Sequence, residues 1–384
     1  MAGGRDHVRD AGPMDAIAGV PARYVAEPAS TQEAAAVLRA AAAQDLAVVV
    51  RGAGTRQDWA VPPRRLDLIL ETRRLTGVVE HAAGDLIVVV RAGTPMAELQ
   101  DKLAPAGQQL ALDAGGTVGG TVAANASGPR RMLYGTARDL LIGVTVVRAD
   151  GVVAKAGGKV VKNVAGYDLG KLVTGSYGTL GLIAGCAFRL HPLPAATAVV
   201  TRQVDTPDEA GQVVAAVRAG QVVPSALEVN APPDGPIEVA VLLEGVPAGV
   251  AGRVEVTRAL LGGAETALPD WWSRYPWGSG DVGVKLTAAL SGVPALLAAG
   301  RRVGAAVRGS AGTGVLYARA APEAVGELRA AAHAAGGHAV VLTAPDGLEL
   351  DRWGPVDGLA LMRRVKAQFD PDGRLAPGRF VGGI

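Results

Sequence analysis

Three glycine-rich stretches carry residue types that could hold an anion through backbone groups. The first is Arg51-Gly52-Ala53-Gly54-Thr55-Arg56, the second is DAGGTVGGTVAANASGP from Asp113 to Pro129, and the third is GSYGTLGLI from Gly175 to Ile183. Glycine lets successive N–H groups converge on phosphate oxygens with no Cβ in the way. The first stretch lacks the Gly-Lys-Ser/Thr of a P-loop, and no G-x-G-x-x-G opens a helix there, so alone it reads equally well as a turn. The second is too apolar and too rich in alanine for a flexible Gly/Ser linker. It reads either as a seam of small residues for close packing or as a phosphate cradle. In the cradle reading, VAANAS forms a helical turn with small side chains at a helix amino end, which suits a pyrophosphate. Three such loops, each at a junction of regular elements, point jointly to one large phosphate-bearing ligand.

The elements that must position these loops are legible around them. Strand, helix and strand follow in RYVAEPAS, TQEAAAVLRAAAAQ and LAVVVRG, with Ser30 and Glu33 as a capping box, so the first loop sits at a strand's carboxyl end. Thr94 before Pro95 predicts the cap and first residue of a helix over MAELQDKLAPAG. Two β-branched runs joined by ADG after residue 140 predict a hairpin, Asp168 caps a short helix, and LIAGCAFRL is a buried strand. Pro192 and Pro194 end it. Beyond about residue 196, strands such as SALEVNA and IEVAVLLEG alternate with helices such as PDEAGQVVAAVRAG. That pattern predicts helices packed on one face of an antiparallel sheet.

Composition excludes several classes. A chain of 384 residues with 49 % hydrophobic and 19 % charged residues is globular and long enough for two domains. A net charge of +2 with scattered arginines leaves no footprint for nucleic acid. The one cysteine, Cys186, lies in an apolar run and can build neither a disulfide nor a metal cluster. His333 and His338 lack acidic partners at ligand spacing, so no metal site is expected. No signal peptide opens the chain and no window is apolar enough for a membrane span, so a cytoplasmic protein is expected, reaching a membrane only through partners.

Taken together, VVVRGAGT, DAGGTVGGTVAANASGP, YGTARD, IGVTVVRADG, KNVAGYDLGKL and GSYGTLGLI resemble the FAD-binding domain of the vanillyl-alcohol oxidase / p-cresol methylhydroxylase superfamily. The order and spacing match over residues 24–195. VVKNVAGYDLGKLVTGSYGTLG is very like the signature of the FAD-binding subunits of bacterial glycolate oxidases, and FDPDGRLAPGRF is more loosely similar to their ending. The resemblance implies an α+β fold with four parts. These are a flexible N-terminal extension (1–23), a two-subdomain FAD-binding domain (24–195), a smaller α+β cap with helices on one face of an antiparallel sheet (196–355), and a C-terminal helix and tail returning to the FAD domain (356–384).

The resemblance also implies site residues. Arg51, Gly52, Ala53, Gly54, Thr55 and Arg56 would wrap the FAD pyrophosphate. Gly116, Thr117, Gly119, Gly120, Ala124, Asn125, Ala126 and Ser127 would lie against the pyrophosphate and the flavin side. Gly178, Thr179, Leu180, Gly181 and Ile183 would hold the adenine and ribose end. Many relatives tether the flavin to a histidine in the first loop; RGAGTRQDW has none, so non-covalent FAD is expected. The HGDGNxH and EHG stretches of sister 2-hydroxyacid dehydrogenases are missing, and the usual NPG near the end is Ala376-Pro377-Gly378.

The implied function is that of an FAD-binding subunit of a glycolate or D-lactate-type oxidase complex. It would oxidise a small 2-hydroxy acid beside a larger homologous flavin subunit and an iron–sulfur subunit. The alternatives are a stand-alone FAD-dependent alcohol or hydroxy-acid oxidoreductase, or an assembly subunit with a vestigial flavin site. No catalytic base is identified. Arg130, Arg131, Lys155 and Arg379 are the cationic candidates for a substrate carboxylate, and Trp271, Trp272, Tyr275 and Trp277 form a lid, a core cluster or a partner surface.

Overall fold

The strand–helix–strand pattern ahead of the first glycine loop folds as a crossover. Tyr24–Ala26 and Val48–Arg51 flank the helix Thr31–Ala43, and both strands pair in parallel with Leu68–Glu71. Parallel neighbours require such a crossover helix, and here Ala34, Leu38 and Ala41 bury its inner face. Ser30 caps it, its hydroxyl accepting from the Glu33 amide at 3.1 Å, while the Glu33 carboxylate reaches back to the Ala29 amide at 2.9 Å. These elements come from a computed structural model, which describes residues 7–158 and 168–384. The KNVAGY part of the glycolate-oxidase-like signature lies outside the described residues.

A second sheet follows in the order Val153–Gly157, Leu141–Val147, Leu182–Arg189, Ile87–Arg91, Val78–Ala82, every pairing antiparallel. The hairpin closes at Val147 opposite Val153, with Gly151 at φ +77° completing its ADG turn. Leu38, Leu70 and Leu75 pack with Val147 and Leu182 and so join the two sheets into one core.

Two expectations change. The helix expected from Thr94 starts one residue later, at Met96–Leu103, because the buried Thr94 hydroxyl accepts from the Gly77 amide at 2.9 Å instead of capping. Residues 7–23, read as a flexible extension, are folded. Val8–Asp10 adds an antiparallel strand beside Tyr24–Ala26, and Ile17 is fully buried among Val25, Val49 and Ile69.

The chain divides into two compact units. The first is Met1–Ser127, Thr136–Leu193 and Val356–Ile384; the second is Pro194–Pro355 together with Gly128–Gly135. The second unit holds an eight-stranded sheet in the order Ala264–Thr266, Ala196–Val204, Ile237–Gly245, Ala226–Ala231, Ala306–Ser310, Val315–Ala320, Val282–Thr287, Ala339–Thr343, all antiparallel. Alternate residues such as Val239, Val241 and Leu243 form one core with Val213, Val217, Val254, Leu296 and Leu328 from four helices. The helices therefore cover one face, giving the α+β layer anticipated. Residues of the opposite parity face away from them: Glu228 and Asn230, Glu238 and Glu244, Arg308, Tyr317 and Lys285.

Candidate functional site

Parallel strands end in a crevice at their carboxyl ends, and the first unit builds its cleft there. Val49 and Val50 lead into loop one, which lines the cleft with Gly52, Ala53, Gly54, Thr55, Arg56 and Gln57; Thr72 follows the neighbouring strand. Loop two contributes Thr117, Gly119, Gly120, Ala123 and Ala124. Loop three adds Tyr177, Gly178, Gly181 and Ile183, and Arg379 comes from the C-terminal segment. The cleft is open to solvent, and among the described residues no carboxylate lines it.

The small residues have specific duties. A Cβ on Gly52 would fall 2.3 Å from Thr117 Oγ1, and one on Gly119 would fall 2.8 Å from Ala92 Cβ. Gly54 and Gly178 sit at φ +74° and +79° with open space where a Cβ would stand.

Donors are distributed differently from the helix-end expectation. In the short helix Val118–Ala123, the amide of Val118 donates to Thr94 O at 2.9 Å and that of Gly119 to Ala92 O at 2.7 Å. The Gly120 amide donates to Thr117 Oγ1 at 3.3 Å. That amino end is already satisfied by protein acceptors. In contrast, the amides of Gly52, Ala53, Gly54 and Thr55 donate to no protein group among the described residues, and Ala53, Gly54 and Thr55 are exposed. Loop one is the part of the cleft that fits a diphosphate as a nest of backbone amides.

Of the residues singled out from sequence, seven stand behind the cleft wall. Arg51 bonds Asp15 at 2.8 Å and pairs with Glu71, its register partner on the parallel strand. Gly116, at φ +90°, backs onto the Thr55 side chain. Ala126 and Leu180 are buried apolar packing, and the Ser127 hydroxyl accepts from the Ala137 amide at 3.1 Å. The Thr179 hydroxyl donates to Ser176 O at 2.8 Å. Asn125, held at φ +47°, keeps its Oδ1 buried with no hydrogen-bond partner. Thr72, Gln57 and Tyr177 were missed; strand order marks the first, and the other two lie inside the motifs themselves.

The cationic candidates separate. Arg379 is buried in the cleft wall, its Nη2 donating to Gln57 O at 2.8 Å and Trp59 O at 2.7 Å. Lys155 is exposed on a strand at the edge of the second sheet. Arg130 and Arg131 belong to the second unit. There Arg130 pairs with Glu244 at 3.4 Å, while Arg131 donates to Tyr317 Oη at 3.1 Å and Gly128 O at 2.9 Å. Tyr317 also meets the aromatic cluster, its ring 4.8 Å from Tyr275 and 5.9 Å from Trp277. Trp271 and Trp272 lie half-buried over Val199, Ala226, Ala240 and Leu242 on the helix-free face, and Trp271 Nε1 donates to Glu238 at 2.7 Å.

Comparison with known proteins agrees with this geometry. An FAD binding domain family matches residues 22–157, and the C-terminal domain of FAD linked oxidases matches residues 348–380. Glycolate oxidase subunit GlcE of Escherichia coli K12 is 29 % identical over 323 residues, 81 % of this chain and 86 % of that one. A D-lactate dehydrogenase of Archaeoglobus fulgidus is 33 % identical over 207 residues, 53 % of this chain and 46 % of its own length. Among solved structures, alkyldihydroxyacetonephosphate synthase superposes with a TM-score of 0.69 over 92 % of this chain and 76 % of its own, at 17 % identity, which speaks to the fold.

FAD fits the residues present. Free amides and a described lining without carboxylates suit its diphosphate, and left-handed glycines leave room for it. No helix among the described residues is long and apolar enough to cross a membrane, and no group of three or more metal-ligating side chains gathers among them. The matches with known proteins make the chain an FAD-dependent oxidoreductase, whose first unit is similar to FAD-binding domains of the vanillyl-alcohol oxidase / p-cresol methylhydroxylase type.

Proposed function

We propose that this protein is the FAD-carrying subunit of a complex that oxidises a small 2-hydroxy acid of the glycolate or D-lactate type and hands the electrons to partner subunits. The observation that carries the substrate half lies within the second unit. On the helix-free sheet face, Tyr317 stands opposite Lys285 on one neighbouring strand and Arg308 on the other, and its hydroxyl accepts from Arg131. All four are half-buried. Burial, with Arg274 beside it, pushes the Arg308 guanidinium below its usual pKa. Glu228 offsets part of the Arg131 charge, and three cations around one phenol still favour a small anion, a carboxylate matching the forked guanidinium.

When bound, FAD supplies the acceptor for the hydride that leaves the hydroxyl-bearing carbon. The loop-one amides would hold the diphosphate non-covalently, and within the second unit Arg131 and Tyr317 would bind a carboxylate. A subunit role is supported by the 86 % coverage of a relative named as a subunit. It is supported also by the lone buried Cys186, which leaves this chain no ligands for a cluster to relay electrons. A larger flavin subunit and an iron–sulfur subunit are the partners proposed.

The test is flavin reduction and turnover with glycolate and D-lactate, by the chain alone and co-expressed with any flavoprotein and cysteine-rich protein encoded beside its gene. Turnover confined to the assembled complex supports the proposal. Dye-linked turnover by the isolated chain makes it a stand-alone oxidoreductase, and a colourless protein that still assembles makes it a vestigial subunit.

A further inference from the structure

The three glycine loops and the C-terminal segment form a closed ring of polar contacts around the cleft. Loop one reaches loop two through Arg56 Nη1, which donates to Gly115 O at 3.0 Å. Loop two reaches loop three where the amides of Gly175 and Tyr177 donate to Val122 O and Ala123 O, each at 3.0 Å. Loop three reaches the C-terminal segment through Lys366, whose Nζ donates to Thr179 O at 2.8 Å. The ring closes where Arg379 donates to Gln57 O and Trp59 O.

We propose that Lys366 and Arg379 are positioning residues for the cofactor loops, which makes the C-terminal segment a fourth element of the FAD site. Lys366 is the only side chain of the helix Leu359–Phe369 that is buried, at 8 % exposure. Its remaining donors go to Leu375 O at 2.8 Å and Asp370 Oδ2 at 2.7 Å, and Asp370 in turn accepts from the amides of Arg374 and Leu375. The ammonium is thus fixed from the C-terminal side and holds a single carbonyl of loop three. That carbonyl lies between Gly178 at φ +79° and Gly181 at φ +158°, which line the cleft but offer no side chain to stiffen the backbone. Glycine freedom must be removed before a ligand can use the loop, and a clamp in place before binding spares that ordering cost. Arg379 does the same for loop one, whose free amides fit the diphosphate.

The inference rests on the FAD reading of the cleft, and the two fail separately. The experiment uses full-length apoprotein reconstituted with FAD, following flavin fluorescence for the dissociation constant, thermal melting of the apoprotein, and hydrogen exchange of amides 176–181. Lys366→Met is expected to weaken FAD by about tenfold and speed exchange in loop three. Arg379→Gln is expected to weaken FAD similarly, and the double variant to lose less than the product of the two, because either break opens the same ring. A Lys366→Met protein that binds FAD within about twofold of the wild type overturns the proposal, even if it melts earlier. Should that variant fail to fold, Asp370→Asn and Lys366→Arg carry the same prediction and the same refutation. Wild-type protein that takes up no FAD would instead overturn the cofactor reading.

Discussion

Gly52 and Thr117 meet so closely that a Cβ on Gly52 would lie 2.3 Å from the threonine Oγ1. The contact joins loop one to loop two, and Thr117 cannot swing away freely because its hydroxyl accepts from the Gly120 amide. Gly52→Ala must therefore part the loops, and FAD affinity is expected to fall by at least about tenfold. Gly54→Ala is the contrast: its Cβ meets nothing within 4 Å, but φ is +74°. It should cost about 1 kcal/mol of stability. Flavin titration beside thermal melting separates them, and equal losses of affinity from the two substitutions would refute the close-approach argument.

Arg131 is expected to act on the substrate carboxylate, since it bonds Tyr317 beside Lys285 and Arg308. Arg131→Met should raise KM for a 2-hydroxy acid by about tenfold while FAD content and absorbance stay at wild-type values. Arg130→Met is the control, because Arg130 pairs with Glu244, and it should alter stability more than KM. Steady-state kinetics of the assembled complex decide it; an unchanged KM for Arg131→Met removes this residue from the substrate site.

The site was legible where chemistry is written in contiguous residues and illegible where it depends on pairing. The glycine loops were readable because glycine at loop junctions has few other uses, and the crossover helix because apolar spacing and Ser30 announce it. The role of each loop was not. The amino end of Val118–Ala123 looks like an anion site until Ala92 and Thr94, twenty or more residues earlier, take its amides. Likewise Lys285, Arg308 and Tyr317 are scattered over thirty-odd residues, and only antiparallel register sets them side by side. Thr94 misled for the same reason, because its partner Gly77 lies on a neighbouring turn.

Cys186 should be chemically silent in the native protein. It sits fully buried on the strand Leu182–Arg189, and burial pushes its thiol well above the usual range, so almost no thiolate exists at neutral pH. Ellman's reagent at pH 8 is expected to find no reactive thiol in the folded protein and one after denaturation. Rapid native labelling would mean that the second sheet opens, since Cys186 packs with Val90, Val144 and Phe188.

Asp15 predicts the acid limb of stability. A hydrogen bond from Arg9, opposed by burial and reinforced by the Gly12 amide and Arg51, holds its carboxyl far below the usual 3.8. In the unfolded chain the group returns to that value, so the folded state binds fewer protons between the two. The stabilisation is then fully present above about pH 4 and is lost as pH falls through the lower, folded value. Because Arg51 also pairs with Glu71 at the start of loop one, losing the Asp15 charge should loosen the strand that carries the loop. Asp15→Asn should lower stability at pH 7 and flatten its dependence on pH below 4. Urea unfolding of the wild type and the variant from pH 3 to 7 measures both; parallel curves would show that Asp15 carries none of the acid sensitivity.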